Sequence, residues 1–141
     1  MIYISNILQA VIDTARKFGA AKVILFGSRA RGDNRERSDI DIAVYGIDKS
    51  DQAVFRSAIA DIPTLLEFDI VFVSSGTDAA LLNDIKKDGK TIMSKFTEKY
   101  EKLISVTERF KQAITDYNNV HLDSVRDGVI QRFEFCTELA W

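Results

Sequence analysis

The chain has one cysteine, Cys136, so no disulfide can form within it, which suits a reducing cytoplasm. It has no long apolar run. Met1 to Gly19 carries polar and charged residues through its apolar positions, so it is not expected to be a signal peptide, and no other stretch is apolar enough to span a bilayer. It has little excess of charge: 19 basic against 21 acidic residues give a net charge of -2, so bulk electrostatics give no reason to expect direct nucleic-acid binding. It has no internal repeat and no low-complexity segment. The one histidine, His121, falls in a polar turn and is expected to be exposed. No His–Asp arrangement supports Cys136 as a nucleophile, and its place in a helical segment points to a core or interface position. What remains is 141 residues, 46% hydrophobic and 28% charged, enough for a compact domain with a real core and expected to be a soluble cytoplasmic protein.

Periodicity places the elements. Ile4, Ile7, Leu8, Val11, Ile12, Ala15 and Phe18 recur at helical spacing, predicting a helix over 5–18 with Ser5 as N-cap and Gly19 as its stop. Lys22 to Phe26 reads as a buried strand ended by Gly27. Ser28 to Arg37 is polar and reads as a loop or broken helical turn. Asp39 to Tyr45 reads as a strand with a functional face at its start. Ser50 to Ile62 is a second helix before Pro63, and Leu66 to Val73 is a strand with a buried-looking carboxylate, Asp69. Thr77 to Lys87 is a third helix closed by Gly89, and Thr91 to Met93 a short last strand. Thr97 to Tyr117 is a long amphipathic helix broken by Asn118-Asn119, and Asp123 or Ser124 caps a final one. The fold class is thus α/β (α+β): a small mixed sheet flanked by helices over 1–95, followed by a two-helix appendage over 96–141.

The chemistry is concentrated in Phe26-Gly27-Ser28-Arg29-Ala30-Arg31-Gly32-Asp33 and Ser38-Asp39-Ile40-Asp41-Ile42-Ala43-Val44. Asp39 and Asp41 are two apart on a predicted strand, so both point to one face. Carboxylates held together raise each other's pKa unless a cation neutralises them. Mg²⁺ suits such a pair, because it takes one or two carboxylates together with substrate phosphates and waters. Asp69 brings a third carboxylate if its strand is a neighbour. Gly27 permits close backbone approach, and Ser28 offers a hydroxyl and an N–H to a phosphate. A phosphate cradle beside a carboxylate-held metal is what phosphoryl or nucleotidyl transfer requires. Arg29, Arg31, Arg35 and Arg37 crowd the intervening loop. Two readings stand: a solvated loop paired with Asp33 and Glu36, or charge stabilisation of a triphosphate, for which Arg31 is the best placed. Asp33 reads as structural.

The order Gly-Ser, Ala-Arg-Gly, Ser-Asp-x-Asp from Phe26 to Val44 resembles the signature of the minimal nucleotidyltransferases of the DNA polymerase beta superfamily, with a looser likeness to about residue 94. The resemblance implies a nucleotidyltransferase domain over 1–95. It makes Asp39 and Asp41 the ligands of Mg²⁺ or Mn²⁺, and Asp69 a third metal-site carboxylate or the general base. Gly27, Ser28 and Arg31 become contacts to the triphosphate of an NTP, ATP first. An acceptor hydroxyl would attack the α-phosphorus and release pyrophosphate.

The segment from Tyr100 onward resembles the start of the HEPN-type helical proteins that serve such enzymes as substrate-binding partners, and it reads as a truncated HEPN-like segment over 96–141. No histidine follows His121 and no arginine precedes it at the spacing of HEPN ribonucleases, so the appendage is not expected to cut RNA. The apolar residues of Ser124 to Trp141 spread around most of the helix, which predicts burial of Phe133, Phe135 and Trp141 against the domain or a second chain. The acceptor is a side chain of a HEPN-type partner or a small molecule. The alternative is a non-catalytic antitoxin-like module that neutralises a HEPN-type partner by contact.

Overall fold

A computed structural model describes residues 3–120 and 123–140. The chain forms two compact units, Met1–Lys95 and Phe96–Trp141.

In the first unit, helix α1 (Ile4–Lys17) buries the stripe Ile7, Val11, Ala15 that its fourfold spacing predicts. The expected Ser5 cap is not formed. The helix starts at Ile4 with Tyr3 as N-cap and no side-chain cap; the Tyr3 carbonyl accepts the amides of Asn6 (2.9 Å) and Ile7 (3.3 Å). Gly19 ends the helix in the left-handed region at φ 72°, as expected. The Lys95 ammonium donates to the freed Gly19 carbonyl at 2.7 Å.

Strands β1 (Lys22–Phe26), β2 (Ile40–Tyr45), β3 (Phe68–Val73) and β4 (Lys90–Ser94) form one mixed sheet in the order β3-β2-β1-β4. β1 is antiparallel to both β2 and β4, and β2 is parallel to β3. The two central strands are almost continuously apolar because both faces are covered. On one face Val23, Leu25, Ile40, Ile42, Val44 and Ile70 pack against α1 and against Phe55 and Ile59 of helix α3 (Lys49–Ala60). On the other, Ile24, Phe26 and Ala43 pack against Ile85 of helix α4 (Ala79–Asp88). Side chains alternate along a strand, so Asp41 shares the α4 face with Ala43, and Asp69 shares it with Val71. A short helix, α2 (Gly27–Arg31), follows β1 directly.

Several boundaries differ from the sequence reading. α3 stops at Ala60 rather than Ile62 because Pro63 disfavours helical backbone at the residue before it. α4 begins after Asp78, whose carboxylate accepts the Leu81 amide at 3.3 Å, while Thr77 is used as an acceptor for the Ser74 amide at 2.9 Å. The β3 ladder begins at Phe68, since the Leu66 amide is turned to the Thr64 hydroxyl at 3.1 Å.

The second unit contains helix α5 (Lys95–Val120) from Phe96 onward and helix α6 (Asp123–Ala140). The break expected at Asn118-Asn119 does not occur: α5 runs through both residues. Asparagine is a middling helix residue that costs less than about 0.7 kcal/mol relative to alanine, too little to end a helix without glycine or proline. The side chains of Asp123 and Ser124, with His121 and Trp141, lie outside the described residues, and so do the roles expected of them. Phe110 and Phe133 pack with ring centroids 5.6 Å apart, and Arg132 donates to the Arg109 carbonyl at 3.0 Å. The expected burial within the chain is not found for Phe133 or Phe135, which remain 53% and 43% exposed. Cys136 is partly buried on α6. No described helix is long and apolar enough to cross a membrane.

Candidate active site

β1 delivers the chain to Gly27 at φ 71°, a backbone conformation that side-chain-bearing residues rarely adopt. The turn is tight because Asp41, the cross-strand partner of Phe26, projects its carboxylate into the space beside Gly27. A Cβ at Gly27 would collide with Asp41 Oδ2 and lie 3.0 Å from its Cγ. Ser28 follows in the first turn of α2, half-buried, and α2 closes at Gly32 with φ 84°, whose amide donates to the Ser28 carbonyl at 2.9 Å.

The loop between α2 and β2 is strapped by Arg29. Its Nε donates to the Ser38 carbonyl at 2.9 Å, and its Nη2 to the same oxygen at 2.7 Å and to the Glu36 carbonyl at 3.1 Å. The Ser38 hydroxyl accepts the Arg35 amide at 2.9 Å. Both contacts set the chain immediately before Asp39, which therefore precedes the β2 ladder instead of lying in it. Arg29, read from sequence as paired with Asp33 and Glu36 or set on a triphosphate, instead holds backbone carbonyls, and Ser38 is a site-building residue to which the sequence reading gave no role of its own. Within the motif they look like one more loop arginine and one more polar residue.

Asp41 and Asp69 are direct partners across the parallel β2–β3 ladder, so the third carboxylate lies beside the pair on the same face. Asp69 is exposed, which corrects its reading as buried: α4 covers Val71 and Val73 further along β3, and Asp69 is left at the open end. The Asp41 carboxyl is held above the usual carboxylate range, first by burial and then by the negative charges of Asp69 and Asp39; Arg31 and Arg29 pull it back in part. Among the described residues no three side chains of His, Cys, Asp or Glu form a ready-made metal cage. Two close carboxylates completed by phosphate oxygens and water are the usual Mg²⁺ arrangement, and the excess negative charge felt at Asp41 is what a cation would relieve.

Arg31, expected to face a triphosphate, is engaged by carboxylates: Nε pairs with Asp33 and Nη1 with Asp88, each at 3.1 Å. Asp33, expected to hold the loop, meets Arg31 within it. The partner at Asp88 carries no local sequence signal, being fifty-seven positions away. A separate hollow of about 380 Å³, lined by Arg56, Ile59, Leu66, Phe68 and Ile70, opens on the α3 side and contains none of the three carboxylates.

A family model described as polymerase beta, nucleotidyltransferase, matches residues 9–98. No curated protein matches the chain significantly. Among solved structures, it is similar to a toxin-antitoxin crystallised with AMP-PNP, at 23% identity over 90% of this chain and 98% of that one, with a TM-score of 0.54. It is also similar to a mutant of the toxin-antitoxin MntA-HpeT, at 21% identity over the same shares, with a TM-score of 0.53. At these identities the likeness concerns the fold.

Proposed function

Because the chain belongs to the polymerase beta nucleotidyltransferase family, we propose that it moves a nucleoside monophosphate from an NTP, ATP in the first instance, onto a hydroxyl of a partner protein. The observation that carries this reading is Asp41. It is seated against Gly27, the residue before Ser28, where a phosphate can approach the backbone, and it carries a charge that its neighbours Asp69 and Asp39 leave uncompensated.

Asp39 and Asp41 would hold Mg²⁺ or Mn²⁺ with Asp69 beside them; the ion supplies charge neutralisation at the phosphates. Gly27 and Ser28 receive the triphosphate with backbone N–H and hydroxyl donors, and Arg31 adds positive charge. Asp69, exposed at the open end of the site, takes the proton of the acceptor hydroxyl. The acceptor oxygen forms a bond to the α-phosphorus, the bond from that phosphorus to the bridging oxygen of the β-phosphate breaks, and pyrophosphate leaves with the electron pair. A protein acceptor is supported by the likeness of fold to toxin-antitoxin complexes, and the second unit, with α5 and α6, is the part we assign to contacts with such a partner.

The test is incubation of the purified chain with ATP labelled at the α-phosphate, Mg²⁺ and a whole-cell lysate, followed by mass spectrometry of labelled proteins and metabolites. Label should appear with Mg²⁺ and disappear with chelator or in Asp41→Asn. Absence of transfer from ATP and, in the same assay repeated with the other three α-labelled NTPs, from any of them would sink the proposal.

A further inference from the structure

Arg31 is fixed at two of its three nitrogens. Nε is bound to Asp33, a neighbour in the same loop, and Nη1 is bound to Asp88, at the end of α4. The two partners are not equivalent. Asp33 is 61% exposed at its side chain, whereas Asp88 is 19% exposed. A carboxylate at a helix C-terminus faces the negative end of the helix dipole, so Asp88 is poorly placed unless a cation meets it.

Its backbone is also hard to move. The next residue, Gly89, donates its amide to the Ile85 carbonyl at 2.9 Å, and a Cβ there would stand 2.6 Å from Ile24 Cγ2. The end of α4 is thereby pressed on β1, the strand that leads into Gly27. Asp88 passes the position of β1 on to Arg31. Neither ion pair uses Nη2, and Arg31 is close enough to the carboxylates to act on the charge of Asp41.

We propose that Asp88 is a positioning residue, holding the Arg31 guanidinium so that its unengaged Nη2 edge meets the β- and γ-phosphates of the bound nucleotide. This rests on the nucleotidyl-transfer reading above. A free arginine samples many rotamers, and ordering them on binding opposes affinity. Asp88 does that ordering in the folded protein. It also offsets part of the arginine's charge, but Arg31 is 45% exposed and water already screens that charge, so orientation prevails.

The test measures binding of ATP and of AMP, each with Mg²⁺, by calorimetry. The proteins are the parent, Asp88→Asn, Arg31→Gln and the double variant, with Asp88→Glu as the conservative control. Asp88→Asn should weaken ATP about tenfold, the scale on which residues that orient a binding group act. AMP, which lacks the β- and γ-phosphates, should bind it as it binds the parent. Asp88→Glu should recover most of the loss, and Asp88→Asn should add nothing once Arg31 is glutamine. Equal losses for ATP and AMP would make Asp88 a merely structural residue. Unchanged or tighter ATP binding by Asp88→Asn, in a parent that binds ATP, overturns the positioning role alone. A parent that binds no ATP overturns the nucleotide reading and this role with it.

Discussion

The carboxylate of Asp41 occupies the space that a side chain on Gly27 would need. The two residues are brought together by the β1–β2 ladder, in which Asp41 faces Phe26, and by the left-handed backbone at Gly27. Gly27→Ala therefore meets two penalties, an unfavourable φ and a collision with a charged group. Left-handed backbone costs a side-chain-bearing residue roughly 1–2 kcal/mol, and displacement of Asp41 should remove nucleotidyl transfer. Urea denaturation and a transfer assay check both. A Gly27→Ala protein of parental stability would contradict both the left-handed backbone at Gly27 and the seat of Asp41 beside it, and one of parental activity would show that transfer does not need that seat.

The carboxylate pair should be needed for chemistry beyond its need for folding. Asp39→Asn and Asp41→Asn should each lose at least about 3 kcal/mol of transition-state stabilisation, more than a hundredfold in rate, because stabilisation of developing charge is usually the largest catalytic term. Rate measurements with Mg²⁺ and with Mn²⁺, beside melting curves showing folded variants, would establish this. Robust transfer by either variant would remove the pair from the mechanism.

The parts of the site that lie close in sequence were legible there. Gly27, Ser28, Asp39 and Asp41 fall within one motif, and two-residue alternation was enough to put Asp41 on a defined face. The strand pairing that brings Asp69 beside Asp41 is non-local. From sequence, the third carboxylate joins the pair only on the condition that its strand is a neighbour, and β3 lies directly against β2. The exposure of Asp69 has no local signal, because a carboxylate within an apolar run looks buried until the extent of α4 is known. Asp88 and the Arg29 strap were not legible at all: one is a contact across fifty-seven positions, the other a set of bonds to backbone carbonyls, which any residue has. The run-through at Asn118-Asn119 follows from helix propensity, which penalises asparagine too weakly to stop a long amphipathic helix.

Asp41 also sets a pH dependence. Its folded-state pKa is raised above the unfolded value, so the folded chain holds a proton more tightly than the unfolded chain does. The stability this contributes is present below the unfolded aspartate pKa of about 3.9 and is lost as pH rises through the folded value. Near neutral pH the ionised Asp41 is a burden on the metal-free protein. Asp41→Asn should then stabilise it, by no more than about 1 kcal/mol once solvent screening is allowed for, and the gain should vanish at acid pH. Mg²⁺ with ATP should reverse the order, adding roughly 2.7 kcal/mol to the parent at a hundredfold excess over the dissociation constant and less to the variant. Thermal melts at several pH values, with chelator and with ligand, read both signs. A variant that melts lower in chelator and gains as much from ligand would make Asp41 a structural residue.

The second unit predicts association. Ile130 and Phe133 lie three apart on α6, so they share one side of it, and they are 51% and 53% exposed, with Phe135 nearby at 43%. Phe133 is held in place by its ring contact with Phe110, which makes it a fixed apolar projection. A second copy of the same surface would bury each side chain to the extent of roughly 1.5–3 kcal/mol, if burial were complete, and a twofold arrangement lets one substitution act twice. Sedimentation velocity should therefore find the parent in concentration-dependent self-association at micromolar protein. Ile130→Ser with Phe133→Ser should shift it to monomer while leaving the melting of the first unit, which contains neither residue, close to the parental value. A parent that stays monomeric across the concentration range would leave these residues to a different partner. Dimer formation that survives both changes would place the contact elsewhere on the chain.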